Sequence, residues 1–326
     1  MNTSAQARAS MLIQRARCIH AIRSFFYDAG VIEINAPVMV HTPGLELHLD
    51  AFEVSTDRGP RYLHTSPEYA LKKVLALGLE RIYSLTPCFR DEPCSATHAP
   101  EFTMLEWYMA GFTLTELMDQ TEALIRYTWS ALGRPRLTSR GHTLDLGQPF
   151  ERLSVRDAFT IHAGIDPWAY ETGRALRDRA CELGLRISSM VGPWDDVFFE
   201  LFLNEVEPHL GHVRPVFLWG WPASQAALAR LDPHDETRAL RFELFAGGLE
   251  LANAFDELID PVEQRRRFED EQAQRRALSR PIYEIDQALL DALHLLGPTC
   301  GIALGLDRLI MLLVGATSIE EVMVPA

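Results

Sequence analysis

The sequence predicts an α+β fold in which antiparallel strands are flanked by helices. Two observations predict it. Two pairs of apolar, aromatic-containing runs, within 81–108 and within 241–255, are each interrupted by a loop or turn signal, the pattern of antiparallel hairpins. Long segments with apolar residues at helical spacing stand before, between and after them.

The 326 residues, 47% of them hydrophobic, are enough for a substantial buried core, which excludes disordered and fibrous classes. Lys and Arg number 31 against 45 Asp and Glu, a net charge of −14 that counts against a dedicated nucleic-acid-binding module. The cysteines Cys18, Cys88, Cys94, Cys181 and Cys300 form no pair separated by two residues, so neither a zinc knuckle nor a redox pair is indicated and reduced thiols are expected. Met1–Ser10 has no apolar centre, and no apolar run approaches the roughly 20 residues that cross a bilayer. A cytoplasmic protein without a membrane span is expected.

Met11, Ile13, Ile19, Ile22, Phe25 and Phe26 predict a helix from about Arg8 to Ala29, stopped by Gly30. Val31 to Pro37 reads as a strand closed by proline. Strands at Arg61–Thr65 and Arg81–Leu85 bracket a helix that opens at Ser66-Pro67-Glu68, with Ser66 as cap and Pro67 in the first turn. Arg90–Pro100 is the polar loop of a hairpin whose second strand runs Glu101–Tyr108. From Thr113 to about Leu231 the pattern is mainly helical, apart from a turn-rich stretch at 132–148 and a strand-like Val213–Gly220. Gly247-Gly248, between Arg241–Ala246 and Leu249–Phe255, is a strong hairpin signal. Pro261–Arg280 reads as a charged, solvated helix, Gly301–Leu306 as a glycine-containing strand, and Asp307–Val314 as the opening of a helix. With no repeat, low-complexity tract or linker, one catalytic domain spanning 1–326 is expected.

Three segments carry more charge than their apolar surroundings require, a mark of functional sites. Phe89-Arg90-Asp91-Glu92, followed by His98 to Tyr108, sets an arginine at a strand end opposite an aromatic, where a guanidinium can hold a phosphate with two donors. An isolated Arg-Asp-Glu would equally be a surface ion-pair cluster. Glu243 and Glu250 flank the Gly-Gly turn, with Asn253 and Glu257 beyond; facing carboxylates in an apolar sheet call for a cation, and nucleotide-bound magnesium takes one or two. Simple alternation puts Glu250 and Asn253 on opposite faces, so their joint use would require a bulge or twist. Gly301 to Arg308 lacks dinucleotide-loop spacing, but its glycines would let a flat ligand lie on the strand while Arg308 reaches its phosphates.

Together these strings resemble the three signature motifs of class II aminoacyl-tRNA synthetases, the lysyl type most closely, at about 10–37, 89–108 and 301–313. The resemblance implies ATP and Mg²⁺ as cofactors and a homodimer built through the first motif. It implies that Arg90 grips the α-phosphate and Glu92 reads the adenine amino group. Phe102 and Arg308 would stack on opposite faces of the base, with Arg308 also on the γ-phosphate and His98 near the outer phosphates. Asp91, Leu251 and Gly305 complete the nucleotide set, and Glu243 and Glu250 match the magnesium carboxylates. Ser66, Pro67 and Glu68 resemble the substrate loop, with Glu68 on an amino group. Glu106, Tyr108, Asn253, Glu257 and Ala303 match the amino-acid pocket, where Glu257 with Tyr108 would bind the distal ammonium of lysine. Ala99 departs from the family's usual asparagine, which removes one side-chain contact to ATP.

The synthetases of this type carry an additional N-terminal anticodon-binding barrel, expected to be absent here. The chain therefore looks like the stand-alone lysyltransferase branch that activates (R)-β-lysine, or lysine, and transfers it to a lysine side chain of elongation factor P, with tRNA an unlikely partner. Trp221-Pro222-Ala223-Ser224-Gln225-Ala226 supports that branch, as does Ala303, where the synthetases usually have glycine. The rival expectations are a minimal tRNA synthetase, a small-amine ligase and an inactive paralogue. His209 and His212 could pair on a metal, but no third ligand is evident.

Overall fold

The computed structural model describes residues 3–139, 141–188 and 192–324. Met1, Asn2, Pro325 and Ala326 of the expected domain, and Arg140 of the turn-rich stretch, lie outside the described residues.

In chain order the principal elements are α1 (Thr3–Asp28), β1 (Ile32–Glu33), α2 (Glu68–Leu75), β2 (Arg81–Phe89), β3 (Glu101–Ala110) and α3 (Leu114–Ala131). Then come β4 (Glu151–Ser154), α4 (Val155–His162), α5 (Gly173–Glu182), α6 (Trp194–Leu201), β5 (Val216–Trp219), β6 (Arg241–Ala246) and β7 (Leu249–Asp256). The chain closes with α7 (Pro261–Ala277), β8 (Thr299–Gly305) and α8 (Leu306–Val314). The one domain expected from sequence divides by packing into two compact units, Met1–Pro135 with Ala252–Ala326, and Arg136–Leu251.

In the first unit the strands run in the order β1, β2, β3, β8, β7. All neighbours are antiparallel except β1, which lies parallel to β2, so the expected antiparallel sheet has a parallel edge. Each strand has two faces. Tyr83 and Trp107 point to the face covered by α1, where Phe26 stacks on Tyr83 at 4.5 Å and meets Trp107 edge-on at 5.5 Å. Cys18, Ala21, Ile22 and Phe26 are the buried stripe of α1 at helical spacing. Gly30, at φ +69°, stops that helix as the sequence suggests. Beyond it Ile34 donates to Tyr83, but only Ile32 and Glu33 form a ladder, so the expected strand to Pro37 is two residues long. A separate three-stranded sheet of Met39–Val40, Glu53–Thr56 and Gly59–Leu63 follows.

The second unit pairs β4 parallel to β5 and β5 antiparallel to β6. Its core is aromatic and aliphatic, with Phe159, Phe198, Phe202 and Trp221 at its centre, as the helical spacing of the phenylalanines implies. Gly247 and Gly248 both have positive φ, the geometry of the tight turn that joins β6 to β7.

Candidate active site

Four strands of the first unit build a cross-sheet row. Ser84 lies opposite Glu106, Glu106 opposite Ala303, and Ala303 opposite Asn253. One step along, Tyr108 faces Gly301 and Gly301 faces Phe255; one step the other way, Met104 faces Gly305. The register shows no shift from Ala252 to Asp256. On β8 the even positions Cys300, Ile302 and Leu304 are buried core, while the odd positions are Gly301, Ala303 and Gly305. Small residues on one face only make a flat floor, and Gly301 cannot be enlarged: a Cβ there would overlap Glu257 and the Tyr108 ring.

Around that floor stand three carboxylates. Pro67, not Ser66, stands at the cap position of α2, which begins at Glu68; Ser66 Oγ, one residue earlier, accepts from the Glu68 amide at 3.0 Å and donates to Glu106 Oε2 at 2.8 Å, which ties the helix start to β3. Tyr108 donates its hydroxyl to Glu106 Oε1 at 2.7 Å. Burial, then the charge of Glu68, push Glu106 up to about 8. The sequence paired Tyr108 with Glu257. In the structure both flank Gly301, but the tyrosine hydroxyl serves Glu106, and Glu257 meets a residue that sequence reading missed.

That residue is Lys72 on α2. Its side chain is 1% exposed and its Nζ lies 2.6 Å from Glu68 Oε1 and 2.6 Å from Glu257 Oε2. The approach to Glu257 is close but off-axis, which leaves Oε2 without a well-directed hydrogen bond. Burial pushes the Glu257 carboxyl up to about 8 against the pull of the Lys72 charge, and the two carboxylates outweigh burial to hold Lys72 above its ordinary value. An ammonium this deeply buried needs ionised partners, so we read the trio as an ion pair shared by two carboxylates. Sequence shows only a Glu68–Lys72 pair four residues apart, the usual sign of a solvated helix face.

Of the residues expected to hold the nucleotide, all but Glu250 and Leu251 lie on the β2–β3 hairpin and around the start of α8. The Arg90 amide donates to Pro100 and its guanidinium lies 5.0 Å over the Phe102 ring, leaving the opposite ring face for a base. Arg90 Nε is buried and without a hydrogen-bond partner, an orphan donor suited to a phosphate oxygen. Arg308 donates to the Thr97 carbonyl at 3.1 Å and to His98 Nε2 at 2.7 Å. A guanidinium only donates, so His98 Nε2 is the acceptor and Nδ1 carries the proton towards Ser95 Oγ at 2.8 Å. Asp307 accepts from the Thr103 amide at 2.6 Å and pairs with Arg15 of α1. The Asp91 amide donates to the Asp50 carbonyl, and Glu92 is part-buried beside it.

Asp50 is itself held by Arg275, which is fully buried on α7 and bonds Asp50 Oδ1 and the carbonyls of Glu46, Leu47, Leu49 and Pro281. The helix expected to be wholly solvated thus carries a buried cation. Arg266 and Arg267 do pair with Glu263 on its outer side.

In the second unit Glu243 is buried and bonded to Arg241, whose guanidinium also donates to the Gln225 carbonyl and covers Trp221 at 4.6 Å. Burial first, and then the charge of exposed Glu250, push Glu243 up against the pull of Arg241. Leu251 is buried next to Glu250. Two carboxylates that repel each other on one hairpin fit a divalent cation that completes its shell with phosphate oxygens and water. Among the described residues no cluster of three or more His, Cys, Asp or Glu side chains has metal-site geometry. His209 instead stacks on His162 at 4.9 Å, and His212 bonds the Pro208 carbonyl. All five cysteines are free, and no described helix is long and apolar enough to cross a membrane.

The family model of tRNA synthetases class II (D, K and N) matches residues 1–324. An elongation factor P--(R)-beta-lysine ligase of Hamiltonella defensa subsp. Acyrthosiphon pisum (strain 5AT) is 38% identical over 330 residues, covering 99% of this chain and 96% of that one. Proteins of the same name from Salmonella dublin and Salmonella enteritidis PT4 are each 40% identical over 320 residues, covering 95% of this chain and 93% of theirs.

Proposed function

Because the chain belongs to the class II (D, K and N) tRNA synthetase family, we propose that it activates (R)-β-lysine, or lysine, with ATP and transfers the acyl group to a lysine side chain of elongation factor P. It is an ATP-dependent ligase, the activity its relatives' names carry. The observation that supports the substrate best is the set of buried Glu106 and Glu257 with part-buried Glu68 around the Gly301–Ala303 floor. Carboxylates in such a place reject anything that leaves them unpaired, so the pocket favours a substrate with two ammonium groups.

In the first step a substrate carboxylate oxygen attacks the α-phosphorus of ATP, a bond forms to that oxygen, and the bond to pyrophosphate breaks. Arg90, with its orphan Nε, binds the α-phosphate, and Arg308 binds the outer phosphates with His98. Phe102 stacks on the base and Glu92 accepts from its amino group. Glu243 and Glu250 would hold magnesium, which would supply charge neutralisation. In the second step a neutral lysine amine of the protein acceptor attacks the acyl carbon, AMP leaves, and the amine loses a proton.

We take the working form to be a homodimer through α1 and β1, where Tyr27, Ile13 and Ile32 are exposed apolar side chains. The reading assumes a cytoplasmic enzyme, in keeping with five unpaired cysteines.

The deciding experiment offers purified protein, ATP and either α-lysine or (R)-β-lysine to elongation factor P or to tRNA. A mass gain on elongation factor P, larger with β-lysine, is expected. Charged tRNA without protein modification would overturn the choice of acceptor.

A further inference from the structure

Lys72 has no part in the chemistry just described, yet it is the most deeply buried cation next to the amino-acid pocket. It lies on α2, one helical turn after Glu68, and reaches Glu257, the residue just after β7, so it joins two separate segments. Glu106 is different. Both its oxygens are taken by hydroxyl donors, Ser66 and Tyr108, and no ion pair to it is found among the described residues.

We propose that Lys72 is a positioning residue of the amino-acid site: an internal ammonium that keeps Glu68 and Glu257 ionised and fixed, and leaves Glu106 as the carboxylate that changes charge when a substrate ammonium arrives. This deepens the function proposed above and rests on it. Three carboxylates and one ammonium leave the pocket two negative charges, which a substrate with two ammonium groups would match. Without Lys72 the count would be three, and buried like charges within reach of one another drive one of them to take up a proton. Lys72 therefore lets two of the acids stay charged in the empty protein, so that binding does not have to ionise them.

The placement also explains why a lysine serves here. Its four-carbon stem, buried with the rest of the side chain, delivers a compact point charge that two carboxylates can share.

The test uses the intact enzyme and amino-acid-dependent pyrophosphate exchange, measured from pH 7 to 9 with the amino acid and ATP varied separately. Lys72→Met keeps the stem volume and removes the charge. We expect its KM for the amino acid to rise at least tenfold and its optimum to move to higher pH, while its KM for ATP stays within twofold. Glu106→Gln removes the charge, keeps one acceptor for a hydroxyl partner and leaves the Lys72 pair untouched. It is expected to bind the amino acid weakly and to lack the fall in KM that the proposal predicts for wild type as pH rises through about 8, to which burial pushes Glu106. If Lys72→Met folds and leaves the amino-acid KM and its pH profile unchanged, Lys72 is merely structural and the inference is wrong. Should that variant fail to fold, the Glu106→Gln profile decides: a pH dependence identical to wild type overturns the inference, and a flat one supports it. A wild type that exchanges pyrophosphate with neither α-lysine nor (R)-β-lysine would refute the proposed function itself, which is a separate result.

Discussion

Gly301 of β8 lies directly opposite Tyr108 of β3, and the ring of that tyrosine fills the space that a Cβ at position 301 would need. The backbone there is extended, so the glycine is required for closeness rather than for an unusual dihedral angle.

Gly301→Ala should therefore displace Tyr108 or Glu257 in the pocket. Overpacking of a buried site costs roughly 1–3 kcal/mol, and a misplaced pocket lowers amino-acid-dependent exchange by about 100-fold. Binding of ATP, measured by calorimetry, should change little. Wild-type exchange rates in Gly301→Ala would show that the pocket does not depend on this contact.

Ala303 stands between Asn253 and Glu106 in the cross-sheet row, and of Gly301, Ala303 and Gly305 it alone carries a methyl. Ala303→Gly should shift preference from (R)-β-lysine towards α-lysine. One methyl in a pocket is worth about 1–3 kcal/mol, or roughly 10- to 200-fold in kcat/KM ratio. The ratio of the two specificity constants is the measurement, and an unchanged ratio removes Ala303 from the specificity argument.

Arg308 ties the first turn of α8 to Thr97 and His98 at the hairpin tip. Arg308→Ala should lower adenylate formation by roughly 10²–10³-fold, the usual loss for a group that stabilises transition-state charge. Arg308→Lys should rescue little, because a lysine cannot bond Thr97, His98 and a phosphate from one planar fork. Thermal unfolding of each variant separates this from a folding defect.

Stability should fall as pH rises from about 4.5 to about 8. Burial, and then the charge of Glu46, push Glu271 up to about 8, well above its unfolded value. The folded state therefore holds the proton more tightly across that window, and stability is lost as Glu271 ionises. Glu271→Gln should be more stable than wild type at pH 8 by roughly 4 kcal/mol and within about 1 kcal/mol of it at pH 5. Urea midpoints at the two pH values give the comparison; the same difference at both would contradict a titrating Glu271.

What the sequence by itself determined was everything written in local periodicity and turn chemistry. The stripe of α1, the stop at Gly30, the hairpin from Arg81 to Ala110 and the Gly247-Gly248 turn follow from residues within a few positions of one another. The motif strings likewise marked Arg90, Phe102, Glu106, Tyr108 and Arg308, and the first-unit members of that set do converge on one sheet face and one hairpin. The two-residue β1 was misjudged because a strand's length depends on how much partner backbone is available, which Val31–Pro37 does not encode. Only the tertiary structure decided the charge pairing. Glu68 and Lys72 look like a solvated helix pair, and Arg275 like one more cation on a charged helix, until the fold buries both against carboxylates and carbonyls that are about 180 and 225 residues distant. Local sequence fixes which atoms a residue carries, but the desolvation that turns a charge into a positioning device comes from partners far along the chain.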